Sequence, residues 1–148
     1  SQRCARGDRS AQRRKMIVND LLIQAEVEAE FAAYEQALVN NDVEALDRFF
    51  LDSESAIRYG AGENLYGYAA IKAFRAGRPS AGLARKLEQT SIVAYGHDLA
   101  IAATLYRRDN APGKIGRQMQ TWVRFPEGWR IVAAHVSVID DPEMKGKS

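Results

Sequence analysis

The chain has 148 residues, 46% of them hydrophobic and 27% charged, which gives one domain with a sizeable core and is not the composition of a disordered protein. Its apolar runs stop far short of the roughly 20 residues that a membrane-spanning helix needs, so a soluble protein is expected. The single cysteine, Cys4, rules out a disulfide framework and a thiolate metal site and fits a reducing compartment, the cytoplasm by default.

The net charge of +2 hides an asymmetry. Residues 1–15, "SQRCARGDRSAQRRK", hold six basic residues and one acidic one, a charge of +5, which leaves −3 for the rest. Basic arms can bind nucleic acid or membrane surfaces. This one has no apolar stretch and no hydrophobic periodicity, and "MIVNDLL" from Met16 reads as a natural start. A disordered basic extension over 1–15 and one domain over 16–148 are therefore expected, with neither nucleic acid nor membrane as a partner.

Between Asp20 and Asn40, Val27, Phe31, Tyr34 and Leu38 recur at steps of four, three and four, which predicts a helix with Tyr34 inside its apolar stripe. "NNDVEALDRFF" predicts a second, short helix capped by Asn41 or Asp42, with Val43, Leu46 and Phe50 as its apolar face. Ser55–Tyr59 is expected as a strand, "GAGENLYG" as a turn, and "YAAIKAFRAGR" as a third helix stopped by Pro79. Residues 85–95, 99–109, 114–125 and 129–138 are rich in β-branched and aromatic residues, and "GHD", "NAPG" and "PEG" separate them. That pattern predicts an antiparallel meander of four long strands. Helices followed by a long curved sheet give an α+β domain whose helices cover one sheet face, with a pocket between the layers. Apolar residues on both parities of "AIAATLY" and "RIVAAHVSV" leave the other face suited to a homodimer contact.

No nucleophile elbow, phosphate-binding loop or dinucleotide fingerprint is present. His97 and His135 stand far apart, with no partner at i, i+4 and no acidic cluster beside them, so no metal is expected. Between Leu83 and Val138 the only acids are Glu88, Asp98, Asp109 and Glu127, and the last three lie at or beside turns, which leaves no carboxylate pair in the sheet.

Arginine is what remains. Ile71, Phe74, Arg75 and Arg78 fall at i, i+3, i+4 and i+7, so two guanidiniums share a stripe with two hydrophobes and need an anion, either a structural carboxylate or a ligand. Arg58 lies on the opposite strand face from Ile57 and Tyr59; if Ile57 faces the pocket, Arg58 faces solvent. Tyr34 is either a packed ring or a hydrogen-bond donor into the cavity. Gln118, Gln120 and Trp122 share one strand face, as do His135 and Ser137, and these suggest a mixed polar lining. Such a cavity favours a small anion, carboxylates above all, because a guanidinium grips a carboxylate through two bonds.

"FAAYEQALVNNDVEAL", "RYGAGENLYGYAAIKAFRAGRPSAGL" and "IGRQMQTWVRFPEGWRIVAAHVSV" resemble the nuclear-transport-factor-2-like (SnoaL-like) superfamily over about residues 17–140. Within it, "RYGxxENLYG" followed by "FRAxRP" is similar to the branch that holds the oxalurate-catabolism protein HpxZ and the decarboxylating amidohydrolase AtzH of cyanuric acid breakdown. The resemblance implies a cone of helices against a curved sheet, and a cofactor-free enzyme that converts dicarboxyurea to allophanate and carbon dioxide. By motif, Tyr34 and Arg58 correspond to the essential tyrosine and arginine of that enzyme. Asn64 and Tyr66 would then fold over the mouth, and Arg75, Arg78, Gln120, His135 and Ser137 would contact the substrate. A pathway amidase is the implied protein partner. An oxalurate-pathway role and a non-catalytic, anion-binding dimer are the alternatives.

Overall fold

The computed structural model describes residues 16–145; the expected basic extension over 1–15 lies outside them. Helix α1 (Leu21–Val39) starts where the Asp20 carboxylate accepts from the Leu22 and Ile23 amides. It buries Ile23, Val27, Phe31, Tyr34, Ala37 and Leu38, the expected face, against the sheet. The helix ends in a Schellman turn. Asn41 takes a left-handed φ of 51°, its amide donates to Leu38, and the amide of Asp42 donates to Ala37. Asp42, the second of the two expected caps, then holds the Ala45 amide at the start of α2 (Val43–Phe49).

Strands β1 (Ile57–Tyr59) and β2 (Asn64–Tyr66) form a hairpin closed by the Gly60 amide donating to the Glu63 carbonyl. β2 occupies part of the segment expected as a plain turn. Helix α3 (Tyr68–Ala76) is followed by Gly77, which keeps helical φ and ψ, and the Arg78 amide still donates to the Arg75 carbonyl, so the turn runs on to the expected stop at Pro79. β3 (Lys86–Tyr95), β4 (Leu99–Arg107), β5 (Lys114–Phe125) and β6 (Gly128–Asp140) form the expected meander, and α4 (Pro142–Lys145) follows.

The six strands lie in the order β2-β1-β6-β5-β4-β3. All neighbours are antiparallel except β1 and β6, which run parallel with Arg58 opposite Ala134. A register shift at Thr121/Trp122 bends β5 and β6, and a second at Glu88/Ser91 bends β3 and β4. The sheet thereby curves around α1, and the core of Trp122, Phe50, Leu46, Ile71, Ile131 and Val27 fills the space between the two layers. One end of that space is left open, and arginines line it.

Candidate functional site

The open end is a cavity of about 200 Å³, lined by Tyr34, Arg58, Glu63, Phe74, Arg78, Leu83, Tyr106, Gln118 and others, with Arg85 and Arg108 completing a set of four guanidiniums. A larger depression of about 460 Å³ lies along α1 and α2, between Glu30, Gln36, Asp42, Phe49 and Arg130. It gathers none of the buried donors that lack a partner. The smaller cavity holds the chemistry.

Tyr34 reaches the cavity from the middle of α1. Its ring meets Phe49 and Trp122 edge-on, at centroid distances of 5.7 and 6.4 Å, and is 5% exposed. Its hydroxyl makes no hydrogen bond to another described residue. The ring is thus fixed by packing while the phenol is left for a ligand.

Arg58 points inward from β1, and Ile57 and Tyr59 point to the opposite sheet face. Arg58 and Ile57 thus lie on opposite faces as expected, but it is Arg58 that faces the pocket, so the case of an inward Ile57 with Arg58 in solvent does not hold. Both faces of this sheet carry apolar residues, so the isoleucine was no guide to direction. Arg58 Nη1 donates to Glu63 Oε1 at 2.8 Å, Glu63 Oε2 accepts from the Gly62 amide, and the guanidinium stands 5.6 Å from the centre of the Phe74 ring. A Cβ on Gly60 would fall 1.7 Å from Glu63 Oε1, so the glycine is what lets the carboxylate lie there.

Arg85 is already satisfied. Its Nε and Nη2 grip Glu35 at 2.7 and 2.6 Å, and Nη2 also donates to Gln118 Oε1 at 3.0 Å. That last bond fixes the Gln118 amide, because only its oxygen can accept, and it leaves the buried Nε2 without a partner. Arg85 and Arg108 both stand over the Tyr106 ring, at 4.5 and 5.0 Å.

Arg78 and Arg108 have no carboxylate among the described residues. The buried nitrogens Nε and Nη2 of Arg78 and Nε of Arg108 are unpartnered. Burial pushes the Arg78 guanidinium below its usual range; Tyr34 pulls it up, and Arg75, Arg58 and Arg108 push it further down. The unpartnered buried atoms here are all donors, and the one carboxylate in the lining is bound to Arg58. A cavity of this kind accepts an anion.

Of the residues expected from sequence, Tyr34, Arg58 and Arg78 meet here, and six do not. Arg75 is buried against Asp47, with Nη1 to Oδ1 at 2.9 Å, and stands over Phe50; its anion is structural. Gln120 is 2% exposed inside the core, where its Oε1 accepts from Trp122 Nε1, and its strand neighbour Gln118 takes the cavity position. Asn64 and Tyr66 alternate with the inward Leu65 and lie on the outer sheet face, where the Tyr66 hydroxyl meets that of Tyr59 at 3.0 Å. This hydrogen bond raises the Tyr59 phenol above its usual range. His135 packs edge-on against Tyr59 on the same outer face, and Ser137 there accepts from Arg117 Nε at 3.1 Å. A one-residue step in parity separates all four from the cavity.

Sequence reasoning missed Glu63, Arg85, Arg108 and Glu35, and Gln118, expected in the polar lining, is found there. Arg85 and Arg108 flank the β3–β4 hairpin at its open end, and pairing the two strands would have brought them together. No three His, Cys, Asp or Glu side chains among the described residues converge to hold a metal ion. No described helix is long and apolar enough to cross a membrane.

A protein of unknown function from Pectobacterium atrosepticum is 56% identical, with 85% of this chain and 100% of that one aligned and a TM-score of 0.82. A cystatin-like-fold protein from Burkholderia xenovorans is 44% identical over 86% of this chain and 100% of its own, with a TM-score of 0.83. A nuclear-transport-factor-2-like superfamily protein from Salmonella enterica, 21% identical over 82% of this chain and 94% of its own at a TM-score of 0.65, shares the fold. No curated protein matches the sequence. The AtzH-like family model matches residues 16–142, nearly all of the described chain, and the protein belongs to the AtzH-like family.

Proposed function

We propose that the protein is a cofactor-free, decarboxylating amidohydrolase whose substrate is dicarboxyurea or a similar small ureido dicarboxylate. The observation that carries this reading is the pairing of a packed Tyr34 ring, whose hydroxyl has no hydrogen-bond partner among the described residues, with guanidiniums that no described carboxylate engages. The cavity volume of about 200 Å³ suits a ligand below the size of a typical drug-binding pocket, roughly 300–1,000 Å³.

In the reaction, the bond between one urea nitrogen and its carboxylate carbon breaks. The electron pair stays on nitrogen, which takes up a proton, and the carbon leaves as carbon dioxide; the dianion becomes the monoanion allophanate. Charge that sat on the departing carboxylate moves onto the urea nitrogen and oxygen. A fixed phenol that donates a hydrogen bond or a proton there stabilises the transition state more than the ground state. Tyr34 fills that role. Arg58, held at one nitrogen by Glu63, binds a carboxylate with its remaining donors.

Incubating the purified protein with dicarboxyurea, oxalurate and allophanate, and following carbon dioxide and ammonia, tests the proposal. Carbon dioxide from dicarboxyurea without ammonia is the expected result. Turnover of oxalurate alone would favour the oxalurate-pathway role, and turnover of none would leave an anion-binding protein.

A further inference from the structure

The four cavity arginines are not equivalent. Arg85 is gripped by Glu35 through two bonds, and Arg58 spends one nitrogen on Glu63. Two carboxylates thus balance two cations, and Arg78 and Arg108 remain uncompensated among the described residues. Keeping two like charges close together and partly out of water, each with buried nitrogens that bond to no described residue, is costly for a folded chain. The cost is offset only if a ligand supplies the missing negative charge.

Arg108 is also held in place before any ligand arrives. Its guanidinium stands 5.0 Å from the centre of the Tyr106 ring, which rests over Gly116 on the next strand. A guanidinium fixed in this way loses little freedom when it binds. Tyr34 lies near enough to Arg78 to favour its charged form, so the unpaired cations and the free phenol face the same space.

We infer that Arg108 and Arg78 form a second carboxylate subsite, separate from that of Arg58, which makes the cavity select doubly charged over singly charged anions. This rests on the proposed reaction for its biological substrate, and on the geometry alone for its binding preference. A dianion would use both subsites. Once carbon dioxide has left, the product keeps one carboxylate, can fill only one subsite, and is released by the loss of the other contact.

The experiment uses inert probes, so that it does not depend on turnover. Glutarate has the same spacing between its carboxylates as dicarboxyurea and no bond that this chemistry breaks; butyrate is its singly charged counterpart. Calorimetric titration of the full chain should show glutarate binding at least about tenfold tighter than butyrate. Arg108→Gln should weaken glutarate by about tenfold or more and move butyrate by less than about threefold, while Arg108→Lys restores part of the loss. Arg78→Gln, measured the same way, covers the case in which the Arg108 variant does not fold, as judged by circular dichroism. Equal binding of the two probes by the wild type, no binding of either, or an equal loss for both in the variants would overturn the inference. A protein that prefers glutarate but turns over no ureido acid would keep the subsite and sink the proposed reaction. The reverse pattern would do the opposite.

Discussion

The Tyr106 ring lies over the α-carbon of Gly116, its partner across β4 and β5, so closely that a Cβ built there would stand 2.0 Å from the ring carbon Cζ. Two cavity arginines, Arg85 and Arg108, stand over that same ring. The glycine therefore positions two guanidiniums it does not touch. Gly116→Ala must displace the ring, and the overpacking should cost on the order of 1–3 kcal/mol, read as a fall in melting temperature together with weaker anion binding. Unchanged melting and binding would show that the ring has room to move.

Asp47 and Arg75 form a buried pair that holds α2 to α3. Asp47→Asn leaves the guanidinium buried without its counter-charge and should destabilise the protein by about 3–5 kcal/mol. The double variant Asp47→Leu with Arg75→Met removes both charges and should recover much of that loss in a thermal melt. If the single variant melts like the wild type, the pair carries little.

Helix α1 was legible because burial imposes a period of 3.6 on its sequence, and the meander because β-branched and aromatic runs alternate with turn residues. The pair just described was half legible. The apolar stripe of α3 showed that Arg75 needs an anion, but not that Asp47, four residues after Val43 and three before Phe50 on α2, supplies it. The direction of β1 was not legible. Ile57 and Arg58 differ by one step of parity, and with apolar residues on both sheet faces only the parallel pairing with β6 decides which side chain turns inward. Asn64 and Tyr66 were misplaced because their segment was read as a turn and is a strand, and His135 and Ser137 because polar side chains on the last strand did not reveal which face is inward, whereas the motif resemblance led to Arg58.

The outer sheet face supports a homodimer as a further prediction. Met119 is 55% exposed beside Ile57, Tyr59, Thr121 and Ala133, an apolar surface on a side that no helix of the described residues covers. Sedimentation at micromolar concentration should give a dimer for the wild type and a monomer for Met119→Glu. A monomeric wild type would remove this claim.

Arg58→Lys keeps the charge and loses the planar fork that serves Glu63 and a substrate carboxylate together. The expected outcome is a folded protein with kcat/KM reduced at least about tenfold on dicarboxyurea. Wild-type kinetics would mean that Arg58 contributes only its charge.

The most direct test is the turnover of dicarboxyurea by Tyr34→Phe. The variant keeps the ring between Phe49 and Trp122 and loses only the hydroxyl, which bonds to no other described residue, so the fold and the melting temperature should be nearly unchanged. If the phenol donates to charge that develops as the carbon–nitrogen bond breaks, kcat falls by about a hundredfold or more. A folded Tyr34→Phe protein that retains more than about a tenth of the wild-type rate, a loss of under roughly 1.4 kcal/mol, would contradict the account.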